Sequence, residues 1–187
     1  MSFDRDCTMN NRNDLLPIQS LTESIGRDPT NVSAYFDRGE IYIKQGQYDL
    51  AIKDFAEAIR FYPFPTGGYA HAYYLRGNSY LMTDQYDLAI KNYTEAIRLD
   101  PEDIVAHDHR GLACHNNEQY GLAIEDFTAV IRLDPANAPA YFSRGFVYYS
   151  DGRYDLATHD LEKLSASILI MHLREMYWRN CKRIRSG

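Results

Sequence analysis

An Arg-Gly pair returns four times, at Arg38-Gly39, Arg76-Gly77, Arg110-Gly111 and Arg144-Gly145, and a whole pattern of residues returns with it. The four glycines are separated by 38, 34 and 34 positions. A fixed period of this length means stacked copies of one supersecondary unit, each unable to bury its apolar face alone. The longer first interval carries four extra residues within 61–69, FYPFPTGGY, so the period is 34 with one insertion, read as a longer turn or one rim of an interface.

Each unit reads as two helices joined by a short turn such as KQGQ or SDGR. The second helix is amphipathic. In the first copy Leu50, Ala51, Phe55, Ala58 and Ile59 recur at the spacing of one buried face, with Lys53, Asp54, Glu57 and Arg60 on the polar side. Asp49, Asp87 and Asp155 stand in first turns, where negative charge suits the helix dipole. Pro63, Pro101 and Pro135 end the units, because proline cannot continue a helix and disfavours helical geometry in the residue before it.

These spacings resemble the tetratricopeptide repeat (TPR), a 34-residue helix-turn-helix unit. The matching residues are Tyr35, Gly39, Tyr42, Tyr48, Ala51, Phe55, Ala58 and Pro63, then Tyr73, Gly77, Tyr80, Tyr86, Ala89, Tyr93, Ala96 and Pro101. The third set is His107, Gly111, Cys114, Tyr120, Ala123, Phe127, Val130 and Pro135; the fourth is Tyr141, Gly145, Tyr148, Tyr154 and Ala157, after which Leu161 and Leu164 depart from the pattern. The resemblance implies an all-α, right-handed superhelical solenoid of four TPR-like repeats, with a partial helix before them and a capping helix after. The expected segments are a disordered N-terminus (1–13), a partial repeat helix (14–31) starting at Pro17, repeat 1 with the insertion (32–69), repeat 2 (70–103), repeat 3 (104–137), repeat 4 with a divergent end (138–171), and a cap and basic tail (172–187).

Composition bounds the partner. The 187 residues carry a net charge of -6, which argues against a whole-domain grip on nucleic acid. From 171 onward Arg174, Arg179, Lys182, Arg183 and Arg185 face Glu175 alone, giving +4 and leaving -10 on the rest. That tail reads as a solvated cap covering the last repeat, or as a contact for an anionic membrane, nucleic acid, or the acidic body of a second copy. Three distant cysteines without paired spacing fit a reducing, cytoplasmic setting and suggest neither disulfides nor zinc. The N-terminus shows no apolar signal-like run.

Glycine inside a helix costs about 1 kcal/mol relative to alanine, so four occurrences need a packing reason. Close approach of the second helix is that reason, with Ala51, Ala89, Ala123 and Ala157 expected on the facing side. Arg38, Arg76, Arg110 and Arg144 share the packed side of their helices, and sixteen residues after each stand Asp54, Asn92, Asp126 and Asp160. A hydrogen bond from each arginine to the second helix is expected, so Arg-Gly is scaffold; a row of arginines gripping a phosphate chain is the alternative.

The opposite stripe of each first helix is not plainly polar. Its candidate binding residues are Phe36, Asp37, Glu40, His71, Tyr74, Asn78, Asp108, His109, His115, Phe142, Phe146 and Tyr149. In the TPR family this stripe lines a concave, peptide-binding groove, and large aromatics are the usual anchors there. Family members that clamp the C-terminal carboxylate of cytosolic chaperones use Lys, Asn and Arg; the matching positions here hold Phe36, Glu40, Leu75, Val105 and His109, or one repeat along Tyr74, Asn78, His109, Pro139 and Ser143. No fixed cation is supplied, so that clamp is not expected.

The cluster HDHRGLACH, with His107, Asp108, His109, Cys114 and His115, lacks ligand pairs at helical spacing, and His107 and Cys114 stand where other repeats have Tyr, so core packing is expected. No metal or cofactor is expected. No phosphate-binding, dinucleotide-binding or hydrolase motif is present, and catalysis is left without a named nucleophile or base. The reading is a non-catalytic protein-binding scaffold or adaptor. The alternatives are a self-associating structural protein, and a membrane- or nucleic-acid-linked adaptor working through the tail.

Overall fold

The computed structural model describes residues 10–62 and 67–163. Among these are nine helices and no strand: α1 (Asn10–Arg27), α2 (Val32–Lys44), α3 (Tyr48–Phe61), α4 (Gly67–Leu81), α5 (Tyr86–Leu99), α6 (Ile104–Asn116), α7 (Tyr120–Leu133), α8 (Ala138–Ser150) and α9 (Tyr154–Glu162). The chain divides after Pro101 into two compact units. In the first, α1 to α5 pack in succession and α2 also meets α4; in the second, α6 to α9 pack in succession and α6 also meets α8. This is the all-α repeat class expected.

Local chemistry sets the boundaries. Asn31, Asp103 and Asn137 cap α2, α6 and α8, their side chains accepting the N–H of Ala34, of Val105 and Ala106, and of Ala140. Helices α5 and α7 stop two residues before Pro101 and Pro135, and the intervening Asp100 and Asp134 are extended, the geometry a following proline enforces. Within the repeats the turn needs a left-handed residue, supplied by Gly46 and Gly152 in two copies and by Asp84 and Glu118 in the others.

Two boundaries differ from expectation. Helix α1 starts at Asn10, so Pro17 lies inside it and residues 10–13 are helical. Proline deletes one backbone donor, and the helix continues on both sides of that gap. Helix α4 starts at Gly67, so the last residues of the insertion form its first turn. The rest of the N-terminal segment (1–9), the middle of the insertion (63–66), and the capping helix and basic tail from 164 onward lie outside the described residues.

The largest buried side chains of the cores come from second helices. Ala51, Phe55 and Ala58 of α3, Ala89 and Tyr93 of α5, Ala123, Phe127 and Val130 of α7 and Ala157 of α9 are fully buried. The glycines explain why. A Cβ on Gly39 would stand 2.9 Å from Phe55, on Gly77 2.8 Å from Tyr93, and on Gly111 2.9 Å from Phe127. The nearest neighbours of these three glycines are thus the aromatic rings, not the alanines expected to face them. In repeat 4, where Leu161 replaces the ring, the gap at Gly145 opens to 3.4 Å, and there Ala157 does supply a contact atom.

Candidate functional site

The arginines point inward. Arg38 donates through Nε and Nη2 to both carboxylate oxygens of Asp54, each at 2.8 Å. Arg110 holds Asp126 at 2.8 and 2.7 Å, and Arg144 holds Asp160 at 2.7 and 2.8 Å. In repeat 2 the acceptor is an amide oxygen, Asn92 Oδ1, 2.7 Å from Arg76 Nε. The guanidinium also lies beside tyrosine rings: Arg38 between Tyr35 and Tyr42, Arg144 between Tyr141 and Tyr148, and Arg76 over Tyr73. Two arginines reach back as well, Arg38 Nη1 to Thr22 Oγ1 and Arg144 Nη1 to Thr128 Oγ1, each at 2.9 Å. Each of these guanidiniums joins three helices, a link that the sixteen-residue step backward to threonine could have signalled in the sequence.

Where repeat 3 has His107 in place of tyrosine, the imidazole joins the ion pair. Its Nδ1 is 2.8 Å from Asp126 Oδ1; a carboxylate only accepts, so Nδ1–H donates. Cys114, in the other tyrosine place, is fully buried, and burial pushes its thiol up to about 12. A thiol so raised is unreactive near neutrality. Iodoacetamide at pH 8 is expected to leave Cys114 unmodified in the folded chain and to label it after addition of urea; labelling at equal rates in both would contradict its burial. Among the described residues no three His, Cys, Asp or Glu side chains group to hold a metal ion.

The opposite stripes occupy two places, one in each unit. In the first unit Phe36 of α2 meets His71 of α4 at 5.6 Å between ring centroids, and His71 stacks on Tyr74 at 5.9 Å. Both aromatics also lean on the core, Phe36 against Phe55 and Tyr74 against Tyr93. Tyr93 donates its hydroxyl to Asn78 Oδ1 at 2.7 Å, and burial drives its phenol well above the ordinary range. Asp37 is exposed and Glu40 half-buried beside this row.

In the second unit the stripe opens into a cavity of about 220 Å³ lined by Leu112, His115 and Asn116 of α6, Phe127 of α7, and Phe142, Ser143, Phe146 and Val147 of α8. His115 packs on Phe146 at 4.8 Å, and its Nε2 lies 3.0 Å from Ser150 Oγ, tying α6 to α8. Of the expected binding residues, His115, Phe142 and Phe146 meet here. His109 instead donates Nδ1–H to Val105 O at 2.9 Å, Asp108 is half-buried with its carboxyl raised by that burial, and Tyr149 meets Tyr154 of α9. Phe127 and Val147 are cleft residues that the stripe reading does not include, because they reach the cavity from the packed side. Val105 and Leu112 of α6 and Met82, just past α4, are exposed.

Profiles for the tetratricopeptide repeat match residues 30–102 and, as TPR repeat, 111–152. The chain belongs to the tetratricopeptide-repeat family. A segment of 41 residues is 51% identical to neutrophil cytosol factor 2 of Mus musculus, covering 22% of this chain and 8% of that protein's length. Among solved structures, MamA is 25% identical with a TM-score of 0.75, over 88% of this chain and 94% of its own. YrrB, described as a TPR protein with an unusual peptide-binding site, is 22% identical with a TM-score of 0.77 over 89% and 86%. MamA of Desulfovibrio magneticus RS-1 is 21% identical, with a TM-score of 0.74 over 90% and 89%. These likenesses support a protein-interaction scaffold in general terms. Among the described residues no helix is long and apolar enough to cross a membrane.

Proposed function

We propose that this chain is a non-catalytic adaptor whose first-helix faces take up a segment of a partner protein, with the α6–α8 cleft seating one large apolar or aromatic side chain. The observation that carries this reading is the cleft itself. Phe142, Phe146, Leu112, Val147 and Phe127 wall a cavity that no side chain among the described residues fills, while His115, Asn116 and Ser143 supply polar groups at its edge. Buried aromatics around such a seat are where interface energy concentrates. The family relation, and the peptide-binding site described for YrrB, support a peptide as the ligand class.

The positions used elsewhere for a carboxylate clamp hold Phe36, Glu40, Leu75, Val105 and His109, so the recognised feature is an apolar side chain in mid-segment, not a charged C-terminus. Self-association and a tail-borne adaptor role are the competing uses of the chain. Peptides selected from a random display library are expected to share one apolar anchor and to lose about tenfold or more in affinity for Phe142→Ala/Phe146→Ala, since truncated anchors cost about 2 kcal/mol or more. Acidic chaperone-tail peptides are expected not to be retained. Selected peptides that bind the double variant as tightly as the parent would place the interface elsewhere.

A further inference from the structure

Arg76 keeps a tyrosine contact, as Arg38 and Arg144 do, but departs from its three counterparts in its hydrogen bonds. Its forward acceptor is Asn92, whose one oxygen takes Nε–H and whose Nδ2 donates away to Leu88 O at 2.7 Å. The place that the second carboxylate oxygen fills beside Arg38, Arg110 and Arg144 is therefore held by a donor. The backward partner is missing too. Thr22 and Thr128 stand seven residues before Pro29 and Pro135, and the same place before Pro63 is Ala56, which has no hydroxyl. Among the described residues neither Nη1 nor Nη2 of Arg76 has a hydrogen-bond partner, and neither is fully buried, so both reach solvent.

The side chain is nonetheless drawn into the protein. Burial lowers the proton affinity of Arg76, whereas the hydrogen bond to Asp54 raises that of Arg38 and the one to Asp160 raises that of Arg144. The phenols of Tyr69, Tyr73 and Tyr80 are close enough to act on its charge, and Tyr73 lies against its face at 5.3 Å. A partly desolvated guanidinium with two free, parallel N–H donors and no carboxylate is a site for an oxyanion: two oxygens on one centre match its fork.

We propose that Arg76 is the anion-binding position of the first unit, taking a carboxylate or phosphate group end-on through Nη1 and Nη2 in the place that the missing Asp and Thr leave open. The site lies on the Arg-Gly side of α4, the side opposite the stripe proposed for peptide binding. The oxyanion can come free from solution or from an acidic side chain of a partner segment.

Asn92→Asp makes the test internal, because it gives Arg76 the ion pair that the other three repeats already have. Inorganic phosphate is titrated into the full chain at constant ionic strength while the Arg76 side-chain NMR resonances and the melting temperature are followed. A saturable shift with a rise in melting temperature is expected for the parent. Asn92→Asp is expected to melt higher without phosphate and to bind it about tenfold or more weakly, the worth of one charge-assisted pair. A second arm uses a short Glu-containing peptide with blocked termini: saturation by it but not by phosphate assigns the site to a partner's carboxylate, and the reverse assigns it to a free oxyanion. No saturable response to either probe, or the same response in Asn92→Asp, overturns the proposal.

Discussion

Asp126→Ala is expected to lower the stability of the second unit by about 3–5 kcal/mol, the cost of leaving a buried charge without its partner. The carboxylate is almost fully enclosed, with 1% of its side chain exposed, and it accepts three hydrogen bonds: two from Arg110 and one from His107 Nδ1. Its removal takes this acceptor from a guanidinium and an imidazole that are only 12% and 10% exposed. Neither can swing fully into water without abandoning its place against α7. Asp126→Asn is expected to cost about half as much, since Asn92 shows that an amide oxygen at this position still takes the arginine Nε–H. The measurement is urea unfolding followed by circular dichroism, with the midpoint and slope compared between variants. A loss under about 1 kcal/mol for the alanine variant would mean that the ion pair contributes packing and not electrostatics.

The same ion pairs show what could be read from the chain alone. The sixteen-residue step from Arg to Asp, or to Asn92 in repeat 2, spans half a helix, a turn and half a helix, so it follows from the period once the helical pairs are known, and the bonds are present in all four copies. The second helices were legible because apolar periodicity is joined by a first-turn aspartate in α3, α5 and α9 and by a closing proline after α3, α5 and α7. Pro17 misled because proline is a strong but not absolute stop: it removes one donor, and the residues before it remain helical. The reading of the glycines found the close approach of the second helix but not the aromatic rings that stand nearest to three of them. Periodicity gives the face of a helix that is buried, whereas which side chain on that face meets a glycine depends on where the two axes cross.

The candidate binding stripes have the same limit. Helical spacing places Phe142 and Phe146 on one side of α8, yet the cavity between them exists because α6 brings Leu112 and His115 opposite and Phe127 closes its floor. In the first unit His71 packs against Phe36 and stacks on Tyr74, and a cavity of about 210 Å³ adjoins Phe36 and Asp37, lined also by Val32, Ser33, Tyr62 and Gly68. Similar stripes thus give differently lined cavities, one beside Phe36 and Asp37 in the first unit and one walled by Phe142 and Phe146 in the second. The difference lies in side-chain packing across helices, which no one-dimensional pattern records.

Four alanine substitutions at the repeated glycines should separate sharply. Gly39→Ala, Gly77→Ala and Gly111→Ala are each expected to destabilise by up to about 2 kcal/mol: overpacking a filled core costs about 1–3 kcal/mol. The preference of a helix for alanine over glycine offsets about 1 kcal/mol of that. The reason is a fixed neighbour: the rings of Phe55, Tyr93 and Phe127 are fully buried and stand 2.8–2.9 Å from the new carbon, with no room to withdraw. At Gly145 the nearest atoms lie at 3.4–3.5 Å, an ordinary contact, so Gly145→Ala is expected to be neutral or to stabilise by up to about 1 kcal/mol. Gly77→Leu carries the effect further. Three more carbons cannot be fitted against Tyr93, so α4 and α5 should separate, and native-state hydrogen exchange should quicken across both helices. Equal effects of alanine at all four glycines, or unchanged exchange in Gly77→Leu, would show that the rings yield and that glycine is present for some reason other than close approach. The opposite result ties the Arg-Gly pair to one mechanical task, in which the glycine lets the second helix come near enough for the arginine beside it to reach across.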